Sequence, residues 1–256
     1  MIALITGATS GIGKCIAENL NKKGWELILT GRNEKMLKQL QKKLGRTEII
    51  KADLSNEKEV FALYEHCRDK KIDLLVNNAG YGIFGRFSET NLDDELDMIN
   101  VNIKAVHILT KLFLRDFRKI NHGRILNVAS SAGFLTGPLL SSYYASKNYV
   151  VRLSIAVAEE LRREKSKVKI SVLCPGPVDT NFNNRAGVTF SMKPLSPEYV
   201  ADYAIKKTFS GQLVIVPGIM VQAGLFASRF IPHRLLSMLT YEIQKSKETT
   251  DGKKVI

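Results

Sequence analysis

Short apolar runs rich in Ile, Leu and Val recur along this chain, each followed by a longer amphipathic stretch, and that alternation most constrains its fold. A short run with no polar alternation reads as a strand buried on both faces, and the amphipathic stretches read as the helices that bury it. Strands are expected at 2–6, 26–30, 47–51, 73–77, 124–129, 168–174 and 212–216, with helices near 12–23, 34–44, 57–70, 92–118, 142–165 and 197–209. Each parallel connection must return over a face of the sheet, so the pattern predicts one α/β domain over 1–256, a doubly wound seven-stranded parallel sheet with helices on both faces. Two stretches fall outside the rhythm: a polar segment at about 181–197 that reads as a substrate loop, and a C-terminal extension at about 218–256. Residues 208–228 hold no charge, but Pro217-Gly218 divides them after a strand-like Leu-Val-Ile-Val, which argues against a membrane span.

The formal charge of +13 raises the question of an anionic partner. The basic residues are scattered as short pairs at expected helix ends, Lys22-Lys23, Lys42-Lys43, Lys70-Lys71, Arg162-Arg163 and Lys206-Lys207, where they complement the helix dipole. No aromatic residues interleave with them, so a nucleic-acid partner is not expected. Cys15, Cys67 and Cys174, and the histidines at 66, 107, 122 and 233, have neither metal-ligand nor disulfide-framework spacing, so no metal is expected. With no leader-like segment before the first strand, a cytoplasmic protein with reduced thiols is the expectation.

After the first strand, Thr6-Gly7-Ala8-Thr9-Ser10-Gly11-Ile12-Gly13 turns sharply into a helix. Such a turn brings backbone N–H groups and a helix N-terminus to a phosphate, although it can also be no more than a tight turn. The second strand ends Thr30-Gly31-Arg32-Asn33, with an arginine where a carboxylate would bind a ribose 2′-hydroxyl. Arg32 can fork onto a 2′-phosphate, with Lys14 or Lys35 adding charge, so NADP(H) is expected; the plain alternative is a solvated arginine opening a helix. Tyr143 and Lys147 stand four apart on one helical face, where an ammonium can lower a phenol's pKa and make it an acid/base. Tyr144 competes for that role on nearly the same face.

With these residues assembled, the chain resembles the short-chain dehydrogenase/reductase family from Ile2 to about residue 217. The motifs appear in order: the glycine turn at 6–13, Asp53-Leu54, Asn77-Asn78-Ala79-Gly80, Ser130, Tyr143-x-x-x-Lys147 and Pro175-Gly176. The resemblance implies a Rossmann-type fold and an oxidoreductase that interconverts a carbonyl and a secondary alcohol with NADP(H). Its serine lies thirteen residues before its tyrosine, which selects Ser130 with Tyr143 as the pair that holds and protonates the substrate oxygen. Lys147 is implied to hold the nicotinamide ribose and lower the Tyr143 pKa, and Asn102, in Val101-Asn102-Ile103-Lys104-Ala105, to hold a water connecting Lys147 to solvent. Alanine stands at 105 where the family has glycine, and Asn100 lies two positions away.

The cofactor contacts implied are Gly7, Thr9, Ser10, Gly11, Ile12 and Gly13 for the pyrophosphate, and Arg32 with Asn33 for the 2′-phosphate. Asp53 and Leu54 would meet the adenine, and Asn78, Ala79 and Gly80 the adenosine ribose. Pro175, Gly176, Val178 and Thr180 would cover the nicotinamide amide. The substrate pocket is implied to lie among Ala132–Leu140, Asn181–Lys193 and residues beyond Pro217. Phe134, Leu135, Leu139, Leu140, Phe182, Phe190 and Met192 make it apolar, suited to a bulky ketone, an oxo-steroid or a 3-oxoacyl group, or serve only as loop anchors. The tail from Leu225 to Lys247 reads as packing on its own domain or on a neighbouring subunit of a homo-oligomer, with Pro232 interrupting its helix; a basic amphipathic helix on an anionic membrane surface is the alternative. An NAD-preferring dehydrogenase, and a sensor or scaffold that binds NADP(H) without turnover, are the competing functions.

Overall fold

Seven strands line up as β3-β2-β1-β4-β5-β6-β7, all parallel, in the computed structural model, which describes residues 1–180 and 194–245. The strands are β1 (Ile2–Thr6), β2 (Glu26–Gly31), β3 (Thr47–Lys51), β4 (Ile72–Asn77), β5 (Arg124–Val128), β6 (Lys169–Leu173) and β7 (Val214–Ile215). The helices are α1 (Gly11–Lys22), α2 (Glu34–Leu44), α3 (Glu57–Cys67), α4 (Leu92–Ile99), α5 (Val106–Ile120), α6 (Ser141–Arg163), α7 (Pro197–Phe209), α8 (Ile219–Ser228) and α9 (His233–Lys245). The chain leaves β1 toward β2 and β3, then crosses back so that β4 pairs with the other edge of β1. That reversal opens a crevice at the C-terminal ends of β1 and β4, where such sheets bind ligands.

Side chains on a strand alternate faces, so β1 feeds two cores. Ala3 and Ile5 pack with Ile16 and Leu20 of α1, Leu37 of α2 and Ile205 of α7. Leu4 faces the other side with Leu63 of α3, Phe113 of α5 and Leu161 of α6. Helix starts follow from side-chain caps: Asn33, Asn56, Asn91 and Ser196 each accept an amide of the helix they precede, and Pro197 begins α7 just inside its cap. The basic pairs at 22–23, 42–43, 162–163 and 206–207 do lie at the ends of α1, α2, α6 and α7.

Several boundaries differ from the pattern. The helix expected at 92–118 is one run to Ile120 interrupted by a π-helical turn at Asn100–Ala105. The helix expected at 57–70 stops at Cys67, so Lys70 lies beyond it and pairs instead with Glu48. The strand expected at 212–216 shortens to Val214–Ile215. Of the proposed substrate loop, 181–193 lie outside the described residues, while Leu195 bridges to Val178 and Ser196 already caps α7. Of the C-terminal extension, 246–256 lie outside the described residues; the described part is two helices that part before Pro232, whose carbonyl accepts the Leu236 amide of α9. Among the described residues no helix is long and apolar enough to cross a membrane, and no His/Cys/Asp/Glu group could hold a metal. The three cysteines are buried free thiols, and burial pushes Cys15 up to about 11 and Cys67 and Cys174 up to about 12.

Candidate active site

A cavity of about 530 Å³ runs along the C-terminal ends of β1, β2, β4, β5 and β6. At one end stand Gly31, Arg32, Asn33, Asp53 and Leu54; at the other stand Ser130, Tyr143, Tyr144 and Lys147. Between them lie Gly7, Thr9, Ser10, Gly11 and Ile12 on one wall and Asn78, Ala79, Gly80, Pro175, Gly176, Val178 and Thr180 on the others. A long polar ligand laid in it would meet nearly all the residues implied by the motifs, and two exceptions are informative.

Gly13 does not line the cavity; a Cβ there would stand 2.3 Å from Asn78 Nδ2 and 2.6 Å from the Gly7 carbonyl oxygen. Its contribution is to let α1 close against the end of β4 rather than to touch a ligand. Asn78 is the clasp: its Nδ2 donates to the Thr6 and Gly7 carbonyls at 2.9 and 3.1 Å, and its amide donates to Thr6 Oγ1. Gly7 has a φ of +63° and would place a Cβ 2.8 Å from Ala79 Cα, so the turn requires glycine on both counts. Ser10 at the start of α1 makes no side-chain cap, unlike the residues before α2, α3, α4 and α7, and no acidic residue lies in the first turn. The first amides of α1 are thus left to an anion, which suits a pyrophosphate.

The second exception is Asn102, which is fully buried behind Gly80. It sits in the π turn, where the widened hydrogen-bond ring swings it inward, as such turns often do at functional sites. Its Nδ2 donates to the Tyr81 carbonyl and to Ser146 Oγ at 2.9 and 3.0 Å, and its Oδ1 accepts the Tyr81 amide. Ser146 in turn donates to the Tyr143 carbonyl at 2.7 Å. A Cβ on Gly80 would meet Asn102 Oδ1 at 2.9 Å and Lys147 Nζ at 3.0 Å, so glycine leaves a slot that both groups face.

Ser130 follows β5; its Oγ accepts the Ala132 amide at 3.1 Å and donates to the Pro175 carbonyl at 3.5 Å, and it draws the Tyr143 phenol on α6 downward. One turn along, Lys147 lies 5.8 Å from the centre of the Tyr143 ring and donates to the Val128 carbonyl at 3.1 Å. Burial dominates both ionisable groups. It pushes the Tyr143 phenol well above its usual range, against a downward pull from Ser130, and lowers the Lys147 ammonium to about 8. Tyr144 is settled differently: its hydroxyl accepts from Gln244 Nε2 of α9, and the flat top of Gly137 receives its ring. It packs edge-on to Tyr143 and serves as pocket wall.

At the β2–β3 end of the cavity Arg32 and Asp53 approach to 3.9 Å, both partly exposed. Asp53 Oδ1 accepts the Ser55 amide and hydroxyl, while Asn33 spends its Oδ1 on capping α2. Neither Lys14 nor Lys35 lines the cavity, which leaves Arg32 as its cation at that end. The substrate end is walled by Tyr81, Ala132, Leu135, Leu140 and Tyr144, and roofed by Thr240, Ile243 and Gln244. Phe134 packs instead into the cluster around Val150, and Leu139 is buried off the cavity. Phe182, Phe190, Met192 and the rest of Asn181–Lys193 lie outside the described residues. The roof falls within the segment beyond Pro217 expected to join the pocket, but no motif singles out Thr240, Ile243 or Gln244 there; Ser146 was legible only as a small residue three positions after Tyr143.

The family model described as short chain dehydrogenase matches residues 1–189. An uncharacterized oxidoreductase of Staphylococcus saprophyticus is 33% identical over 213 residues, 80% of this chain and 89% of that protein. A short-chain dehydrogenase from Sphingobium yanoikuyae, solved in complex with NADPH, superposes with a TM-score of 0.81 at 28% identity, over 89% of this chain and 92% of that one. A Burkholderia phymatum short chain dehydrogenase/reductase, solved with NAD, superposes with a TM-score of 0.80 at 27% identity, over 88% and 91%.

Proposed function

We propose, from the premise that the chain belongs to the short-chain dehydrogenase family of oxidoreductases, that it interconverts a carbonyl and a secondary alcohol on an apolar substrate and prefers NADP(H). The observation that carries the chemistry is the Ser130–Tyr143–Lys147 group, all three lining one end of the cavity with the lysine buried, at the far end from Arg32. A bound nicotinamide dinucleotide supplies hydride to the carbonyl carbon in reduction and accepts it in oxidation. Ser130 and Tyr143 hold the substrate oxygen between their hydroxyls. Burial keeps the Tyr143 phenol protonated at neutral pH, so it gives that oxygen its proton as the alcohol forms. The Lys147 cation beneath the ring steadies the phenolate left behind and holds the ribose. Asn102 braces Gly80 and Tyr81 against α6, so it positions rather than touches the reactants.

The preference for NADP(H) rests on Arg32 standing just after β2, where an NAD site would carry a carboxylate, while Asp53, after β3, turns to Ser55 and Arg32. The largely apolar walls around Tyr143 suit a bulky ketone better than a charged acid.

The test is oxidation of NADPH, with NADH in parallel, against ketones, aldehydes, oxo-steroids and 3-oxoacyl thioesters. Tyr143→Phe is expected to abolish turnover with NADPH affinity nearly intact; retention of most activity would refute the assignment. Arg32→Asp is expected to weaken NADPH binding by roughly ten- to a hundredfold, the loss of a charge-assisted contact, and to spare NADH. Equal effects on both cofactors would favour the NAD reading, and tight NADPH binding without any turnover would favour a sensor.

A further inference from the structure

Helix α8 carries Ile219, Met220, Val221, Leu225 and Phe226 and no charge, yet none of its residues is buried. Met220 is 72% exposed and Phe226 62%, and Phe230, edge-on to Phe226 just past the helix, is 75% exposed. Helix α9 does pack on the domain, through Leu236, Thr240 and Gln244, but turns Leu235, Met238 and Leu239 outward. One stripe of the extension is therefore satisfied by the fold and the other is not. Scattered apolar side chains on a surface are ordinary; a run of them across two consecutive helices marks a binding face.

The charges beside this face identify what covers it. Over residues 219–245 the ionisable side chains are Arg229, His233, Arg234 and Lys245 with the single acid Glu242, apart from Tyr241. Two of the arginines flank the turn between the helices, next to Phe230. Apposing two copies would bring these cations together on chains that each carry +13, whereas lipid phosphates would pair with them. At ten residues α8 is too short to span hydrocarbon, but it is long enough to lie in the interface with its aromatic and Met side chains down. We propose that the outward face of α8 and α9, led by Phe226 and Phe230 and flanked by Arg229 and Arg234, docks the enzyme on an anionic bilayer surface.

The full chain is to be sedimented with vesicles of phosphatidylcholine alone and of phosphatidylcholine mixed with phosphatidylglycerol. Binding to the mixed vesicles, released by salt and absent from the neutral ones, is the expected result. Arg229→Glu/Arg234→Glu and Phe226→Ser/Phe230→Ser should each cut that binding by at least roughly tenfold. Both variants lie off the cavity, so thermal melting should match the parent. Failure of the parent to bind either vesicle overturns the proposal, as do variants that bind like the parent. A parent dimer by light scattering that Phe226→Ser/Phe230→Ser converts to monomer, with no vesicle binding, assigns the face to a second copy instead.

Discussion

Lys147 carries the strongest conflict between stability and function in the molecule. Burial lowers its ammonium from an ordinary 10.5 to about 8, so the unfolded chain holds that proton more tightly than the folded one. The group therefore costs stability in full below about pH 8, and the cost fades as pH rises toward 10.5. That gap corresponds to about 3 kcal/mol. Lys147→Met is expected to lose turnover and yet to melt several degrees above the parent at neutral pH, with the advantage shrinking toward pH 10. Thermal melts of both proteins across that range decide it: a difference that does not change with pH would mean the ammonium is not desolvated. The Tyr143–Lys147 spacing was readable from the sequence because helical geometry alone puts i and i+4 on one face. How far burial outweighs Ser130's pull on the phenol was not readable, since it depends on how the turn after β5 meets α6.

At the scale of elements, the strand and helix pattern was legible because a sheet buried on both faces leaves unbroken apolar runs, and the caps Asn33, Asn56, Asn91 and Ser196 mark helix starts in the sequence itself. The π turn was not legible. A shift of one hydrogen-bond partner leaves composition unchanged and displaces the apolar stripe by less than a helical turn, so 92–120 reads as one helix. Its effect is local but large, since it carries Asn102 into three hydrogen bonds with Tyr81 and Ser146. Asn102→Ala would remove the side-chain partners of the half-buried Tyr81 backbone N–H and C=O and of the buried Ser146 hydroxyl. It is expected to cost roughly 2–4 kcal/mol in urea denaturation, at an unchanged dependence on denaturant. The same variant should lower kcat more than it raises KM for substrate, because the loosened elements are those that aim Tyr143. A stability loss within a few tenths of a kcal/mol would show that Asn102 is not the brace.

Over the whole molecule the cavity divides into two halves of different origin. The half proposed to take the adenosine and pyrophosphate is built from the ends of β1, β2 and β4 within residues 1–80, inside the stretch that matches the family model, and it was readable because its motifs fall in register at strand ends. The roof over the half proposed to take the substrate comes from α9, beyond residue 189, where the sequence placed part of the pocket beyond Pro217 but no motif named its residues. The two halves should therefore respond separately to mutation. Gln244 ties the roof to Tyr144, Ser237 hydrogen-bonds Thr136 at 2.7 Å, and Thr240 faces the cavity. In Thr240→Ala/Gln244→Ala the roof loses its tie at the substrate end while Gly7, Arg32 and Asp53 are untouched. The expected outcome is a KM for the ketone raised by about five- to thirtyfold, the cost of roughly 1–2 kcal/mol of lost positioning, with the Kd for NADPH unchanged. Fluorescence titration of NADPH beside steady-state kinetics reads both quantities on one preparation. If NADPH affinity fell in step with KM, α9 would be holding the sheet end together as a whole, and the substrate half would have no roof of its own to vary.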